Sequence, residues 1–254
     1  MPDVATYAPG TPMWIDLSTP DVKAASAFYG KLFGWEAHVT PEPEAGGYTM
    51  FTLKGKEVGA AGPLQNPQQP PAWMMYVATD DAERTAKKVQ EAGGTVIAPP
   101  FDVMKAGRMA VFQDPTGAFF SVWQPKEHQG AEIVNESNAW SWSELYSRDM
   151  AKAKAFYQKV FGWGLKETPG EPPYTEFQVD GRSVAGGMPM SMMPAEVPPH
   201  WATYFNVANL NESLKTVKGQ GGRVLFGPQD TPMGPFATVQ DPQGATFNVI
   251  EIRS

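Results

Sequence analysis

The 254-residue chain has no cysteine and only three histidines. The first absence excludes disulfides, thiolate metal sites and cysteine nucleophiles together, and says nothing sharper about compartment. The second leaves few imidazoles for a metal or a catalytic base. No segment approaches ~18 uninterrupted apolar residues, and the opening M-P-D-V-A-T-Y-A-P-G-T-P lacks the basic and apolar stretches of an export signal. A cytoplasmic protein without a membrane segment is the expectation. No run of Lys or Arg occurs either, and 20 basic against 27 acidic residues give a net charge of −7 and a pI near 5.0. That balance offers no footprint for phosphate backbones or anionic lipid, so nucleic acid is not expected as a partner. With no G-x-x-x-x-G-K-[ST] and no strand-linked G-x-G-x-x-G, the pair Gly186-Gly187 is not a nucleotide cradle.

What is present is apolar material in quantity and a repeat. Hydrophobic residues make up 42%, with 8 Trp and 14 Phe, enough to fill cores despite 25 Pro and 25 Gly. Trp14 to Trp35 and Trp142 to Trp163 stand 128 residues apart and agree at 11 of 22 positions. A chain of this length is comfortable for two domains. We place them at 10–124 and 139–254, with a polar linker over 125–138.

Period two in Met13 to Leu17 puts Trp14, Asp16 and Ser18 on one strand face and Ile15 and Leu17 on the other. A helix follows, capped by Thr19 or Ser18, with Pro20 in its first turn and Gly34 at its end. Short strands over Trp35 to Val39, Tyr48 to Leu53 and Glu57 to Ala61 complete a β-α-β-β-β unit. A second unit runs from Trp73 to Trp123, its helix capped by Asp80 and stopped by Gly93-Gly94, its last turn set by Asp114-Pro115-Thr116-Gly117. The second half repeats both units, with Gly221-Gly222 and Asp241-Pro242-Gln243-Gly244 at the matching places. The fold class is α+β.

The F-Y that ends each first helix, the F-G-W after it, the G-G stops and the D-P-x-G turns resemble the vicinal oxygen chelate superfamily. That superfamily includes glyoxalase I, bleomycin-resistance proteins and extradiol dioxygenases. The resemblance spans nearly the whole chain twice, and is nearest to tandem actinobacterial members labelled hydroxylase or glyoxalase-like. It implies two glyoxalase-like domains, each of paired β-α-β-β-β units with a curved mixed sheet around a cavity. In its metal-dependent members, His, Gln or Glu ligands stand on the first and last strand of each unit. Carried onto this chain, those positions are Trp14, Val58 to Ala61, Met75 and Ser121 in the first domain. In the second they are Trp142, Ala185 to Gly187, Thr203 and Asn248. The Met75 and Thr203 assignments carry a one-residue uncertainty of register. None of the eight positions offers the carboxylate or imidazole set that a hard or borderline ion needs.

Two readings of each remaining feature stand side by side. Trp14 and Trp142 are either core aromatics or stacking walls for a planar ligand. Asp16 and Glu144 share a face with those tryptophans, and are either rim acids satisfied by hydrogen bonds or acids that contact the ligand. His38, His128 and His200 have no visible third partner for a Ser-His-Asp arrangement. The Met-rich stretch Met188 to Met193 is either a pliable lid or a packed connector. Lys152, Lys154 and Lys159 form a solvated helix face. The expectation is a protein, monomer or homodimer, that binds a small organic molecule without metal or cofactor. Its ligand-binding residues are Trp14, Asp16, Met75, Ser121, Trp142, Glu144, Thr203 and Asn248, and it acts by sequestration or by metal-independent chemistry. The alternative is a metal-dependent glyoxalase-like lyase, oxygenase or hydroxylase with Asp16 and Glu144 as displaced ligands.

Overall fold

Strand β1 (Pro12–Thr19) buries Ile15 and Leu17 completely and leaves Asp16 and Ser18 half-buried on the opposite face. A computed structural model of the chain describes residues 6–191 and 193–253. Met192 of the Met-rich stretch and the first five residues of the export-signal reading lie outside the described residues. Helix α1 (Val22–Phe33) is capped by Asp21, whose side chain accepts from Ala24 N at 2.9 Å, and ends at Gly34 with φ 73°. Neither Ser18 nor Thr19 caps it, because β1 runs two residues further than expected and holds both in its ladder. Pro20 accordingly lies ahead of the cap. Helix α2 (Ala82–Glu91) likewise takes Asp81 as its cap, while Asp80 pairs with Arg84 at 2.6 Å.

The first half adds β2 (Glu36–Val39), β3 (Thr49–Leu53), β4 (Lys56–Pro63), β5 (Ala72–Ala78), β6 (Thr95–Val103), β7 (Gly107–Gln113) and β8 (Phe119–Pro125). They form one mixed sheet in the order β2-β3-β4-β1-β5-β8-β7-β6. The second half is β9 (Trp140–Ser147), α3 (Met150–Phe161), β10 (Gly164–Thr168), β11 (Tyr174–Val179) and β12 (Arg182–Pro189). It continues with β13 (His200–Asn206), α4 (Leu210–Gly219), β14 (Arg223–Gln229), β15 (Phe236–Gln240) and β16 (Thr246–Ile250). Its sheet order, β10-β11-β12-β9-β13-β16-β15-β14, reproduces the first. The architecture is α+β, with two eight-stranded sheets and no closed barrel. Among the described residues, no helix is long and apolar enough to cross a membrane.

Each half supplies a helix to the other half's core. Phe28 and Tyr29 of α1 pack with Phe205 and Phe247, and Phe156 and Tyr157 of α3 pack with Phe112 and Phe120. The repeat motifs meet at this seam. Tyr29 Oη donates to Asp241 Oδ2 (2.9 Å) and receives Trp73 Nε1 (3.1 Å). Tyr157 Oη donates to Asp114 Oδ2 (2.9 Å) and receives Trp201 Nε1 (2.8 Å). The other oxygen of each aspartate accepts three backbone N–H groups of its own D-P-x-G turn. The F-Y and D-P-x-G signatures thus lock the halves together, and buried hydroxyl and carboxylate groups are satisfied in the process.

Two expected connectors are packed. Ala131 and Ile133, in the stretch that reads as a polar linker, are buried, and Ala131 N bonds Met13 O (2.9 Å). In the Met-rich stretch Met190 is buried, and Arg148 Nη2 bonds the carbonyls of Pro194, Ala195 and Val197 just after it.

Candidate functional site

The helices cover one face of each sheet, so side chains of alternate parity project from the face without helices. In the first half β1 pairs Trp14 with Tyr76 and Asp16 with Met74 on β5, and Asp16 with Ala60 on β4. Directly opposed residues share a face, so Trp14, Asp16, Tyr76, Met74 and Ala60 project together. Tyr48, just ahead of β3, completes a chain of hydrogen bonds. Trp14 Nε1 donates to Tyr48 Oη (3.2 Å), and Tyr48 and Tyr76 both donate to Asp16 Oδ2 (3.0 and 2.9 Å). Asp16 Oδ1 takes no hydrogen bond from the described residues. Burial pushes the Asp16 carboxyl up to about 6 against the pull of the two hydroxyls and of His128. Burial, and then the Asp16 charge, raise both tyrosines well above the usual phenol range.

The second half builds a related arrangement from matching residues, with one hydroxyl bond to the acid in place of two. Trp142 Nε1 donates to Tyr174 Oη (2.9 Å), and Tyr204 Oη donates to Glu144 Oε1 (3.0 Å). A third hydroxyl joins here, as Tyr146 Oη lies 2.9 Å from Tyr204 Oη. Burial raises the Glu144 carboxyl, opposed by these tyrosines.

Of the residues singled out from sequence, Trp14, Asp16, Trp142 and Glu144 come together as expected. Ser121 lies opposite Tyr76 and Asn248 opposite Tyr204, on the same faces. Asn248 Oδ1 accepts from Thr238 (2.6 Å), and Ser121 Oγ is buried without a partner among the described residues. Met75 and Thr203 are misplaced by one residue. They pair with Ile15 and Ser143 and point to the helix-covered side, so the register gives their places to Tyr76 and Tyr204.

The four tyrosines Tyr48, Tyr76, Tyr174 and Tyr204 were missed by sequence reasoning, although Y-T-x-F and W-x-x-Y recur in both halves. His128 was missed as well. Its ring stands edge-on to Trp14 at 4.3 Å, Nδ1 lies 3.0 Å from Glu57 Oε2, and Nε2 is buried with no partner among the described residues. His38 stays exposed beside Thr52 (3.0 Å), whereas His200 stacks on Tyr146 at 5.4 Å with its pKa lowered by burial.

The residues at the family's ligand positions do not fit a metal ion. After the register correction they are Trp14, Ala60, Tyr76 and Ser121 in one half and Trp142, Gly186, Tyr204 and Asn248 in the other. At Gly186 even a Cβ would meet Tyr174 Oη at 2.1 Å and Trp142 Nε1 at 2.7 Å. The Trp–Tyr pair already fills the room a ligand side chain would need. Among the described residues, no three His, Asp or Glu side chains come together as a cation site.

A family model described as Glyoxalase/Bleomycin resistance protein/Dioxygenase superfamily matches residues 12–122 and again 141–249. The chain is 40% identical over 263 residues to the anthracycline biosynthesis protein DauV of Streptomyces sp. (strain C5), covering 97% of this chain and 95% of that one. It is also 40% identical over 258 residues to the putative glyoxylase CFP32 of Mycobacterium tuberculosis, covering 99% and 98%. Among solved structures, it superposes on the Mn(II)-bound glyoxalase from Novosphingobium aromaticivorans with TM-score 0.66 at 16% identity, over 97% and 85% of the two chains. The 2,3-dioxygenase LapB from Pseudomonas sp. KL28 gives TM-score 0.67 at 14% identity, over 97% and 93%. At these identities the solved structures show the shared fold.

Proposed function

The chain belongs to the glyoxalase/bleomycin resistance protein/dioxygenase superfamily, and within it we propose a metal-free member that binds a small, planar, oxygenated organic molecule on the helix-free faces of its sheets. One observation carries this reading: a carboxylate, half-buried in the first half and buried in the second, is held by tyrosine hydroxyls among the positions where the resemblance implies metal ligands. Asp16 Oδ1 takes no hydrogen bond from the described residues, and the rings of Trp14, Tyr76 and Tyr204, which are buried, and of Trp142, which is half-buried, surround the polar centres, the composition of a small-molecule site. The name of the relative DauV, an anthracycline biosynthesis protein, agrees in kind with a planar aromatic ligand. Sequestration needs nothing further, and metal-independent proton transfer would use the acid whose pKa burial brings near neutrality.

The alternative, a metal-dependent lyase or oxygenase using Asp16 and Glu144 as displaced ligands, draws support from the solved relatives that bind metal. Against it, each carboxylate already accepts tyrosine hydroxyls and lacks companion ligands. Elemental analysis of protein purified without chelators separates the two. We expect substoichiometric metal throughout, and fluorescence titration of the same metal-poor protein with aromatic metabolites, dicarbonyls and thiol adducts should find a binder among the aromatics. Near-stoichiometric Zn, Ni, Mn or Fe would overturn the metal-free reading.

A further inference from the structure

The matched core of the site is surrounded by unmatched residues. Relative to the shared Trp and D-P-x-G landmarks, Tyr146 stands where the first half has Ser18, and His200 where it has Ala72. Phe236 stands in the place of Met109, and the sheet pairing sets Phe226 where the first half has Ala98. Four small or aliphatic residues of one half are therefore rings in the other. Those rings run in line from the half-buried His200 and Tyr146, over the buried Tyr204, to the half-buried Phe236 and the exposed Phe226. His200 stacks on Tyr146 (5.4 Å, 24°), Tyr204 lies 5.8 Å from Phe236, and Phe236 lies 6.0 Å from Phe226, which is 52% exposed.

The row also has a polar end with a defined sense. A phenol has one proton, and Tyr204 gives its own to Glu144 Oε1. The Tyr146 proton is then turned inward, to Tyr204 Oη 2.9 Å away or to the Glu144 carboxylate, and leaves Tyr146 Oη as an acceptor. The hydrogen-bond chain runs from a ligand hydroxyl through Tyr146, directly or by way of Tyr204, to Glu144. In the first half the chain ends at Tyr76, and the segment between the sheets lays His128 against Trp14 and Trp123.

We infer that the two halves are unequal. Each chain takes one planar polycyclic phenol, laid against Phe236 and Phe226 of the second half with a hydroxyl donated to Tyr146. The inference rests on the metal-free binding reading and narrows it to one half and one ligand class. Ring-on-ring contact gives the row its affinity, and the acceptor at Tyr146 discriminates for hydroxyl-bearing rings.

A matched pair of dyes tests both parts by calorimetric titration: Alizarin Red S, a dihydroxylated anthraquinone sulfonate, and anthraquinone-2-sulfonate, which lacks the hydroxyls. Alizarin Red S should bind with a stoichiometry near one. Phe226→Ala, at an exposed position where folding is not at stake, should weaken both dyes about tenfold, equivalent to about 1.4 kcal/mol. Tyr146→Phe should weaken Alizarin Red S about tenfold and leave the plain dye within about twofold. Met109→Ala in the first half should change neither. Two equivalent sites, or a Met109→Ala effect as large as that of Phe226→Ala, would overturn the inequality while leaving metal-free binding intact. Equal losses for both dyes in Tyr146→Phe would overturn the hydroxyl recognition. Absence of heat with either dye, in protein shown to be metal-poor, would overturn the inference together with the reading beneath it.

Discussion

Tyr29 and Tyr157 make the same 2.9 Å bond to an aspartate of the opposite half, and Trp73 and Trp201 each donate to them from behind. On the other side of the same sheets, Ser18 of the first half is replaced by Tyr146 at the equivalent position of the second, and Met109 by Phe236. The difference follows from what each face must satisfy. At the seam each half's helix fits the other half's turn, so a change on one side leaves a buried donor or acceptor unpaired on the other. The helix-free face meets no such partner. Duplication therefore preserved the packing and left the helix-free face free to differ between halves, with the acid-centred network common to both.

The largest expected effect tests that common network. The Asp16 carboxyl, pushed up to about 6 by burial, holds a proton in the folded state that the unfolded chain releases near pH 4. The folded state binds more protons between those values, so the contribution of Asp16 to stability is fully present below about pH 4 and is lost as pH rises through about 6. The loss is at most about 3 kcal/mol. Asp16→Asn mimics the neutral form and should remove this slope, so that the variant gains on wild type with rising pH and levels off above about pH 6. Urea unfolding at several pH values measures it. Glu144→Gln should shift stability with the same sign, since burial raises its pKa too. Opposite signs in the two halves would break the equivalence of the networks.

Much of this was legible in the sequence because duplication printed it twice. The strands, the glycine stops and the D-P-x-G turns follow from local pattern, and the shared face of Trp14 and Asp16 from period two. Other features were contested locally. Ser18, Thr19 and Asp21 can all cap a helix, and only the length of β1 decides among them. Met75 against Tyr76 is a slip of one residue, which inverts the face, and strand pairing alone fixes it. The remaining features are long-range. Tyr29 and Asp241 are 212 residues apart, and Glu57 and His128 are 71 apart, separations across which no sequence period carries information. The four site tyrosines were visible as repeated Y-T-x-F and W-x-x-Y, but a search for metal-ligand residue types passes over tyrosine.

The second prediction concerns the seam. Tyr29→Phe and Tyr157→Phe each leave a buried carboxylate oxygen without its hydroxyl and a tryptophan N–H without its acceptor. Each should cost about 2 kcal/mol in denaturant unfolding, and by symmetry the two costs should agree within about 0.5 kcal/mol. A loss confined to one variant would show that the halves share a pattern at the seam without sharing its energetics.

The smallest effect concerns a feature confined to the first half. His128 approaches Trp14 edge-on, and the Glu57 carboxylate orients its ring from Nδ1. The imidazole is mostly buried and the carboxylate partly exposed, so the pair contributes below about 1 kcal/mol. Glu57→Gln should therefore barely change the unfolding midpoint. It should nevertheless release the imidazole from its fixed angle to the indole and alter the Trp14 emission. Eight tryptophans contribute to the spectrum, so the variant-minus-wild-type difference must be repeated in a Trp14→Phe background. If the difference disappears there, His128 is what distinguishes the environment of Trp14 from that of Trp142. If it persists, the signal comes from another indole and the contrast between the halves rests on the aromatic row alone.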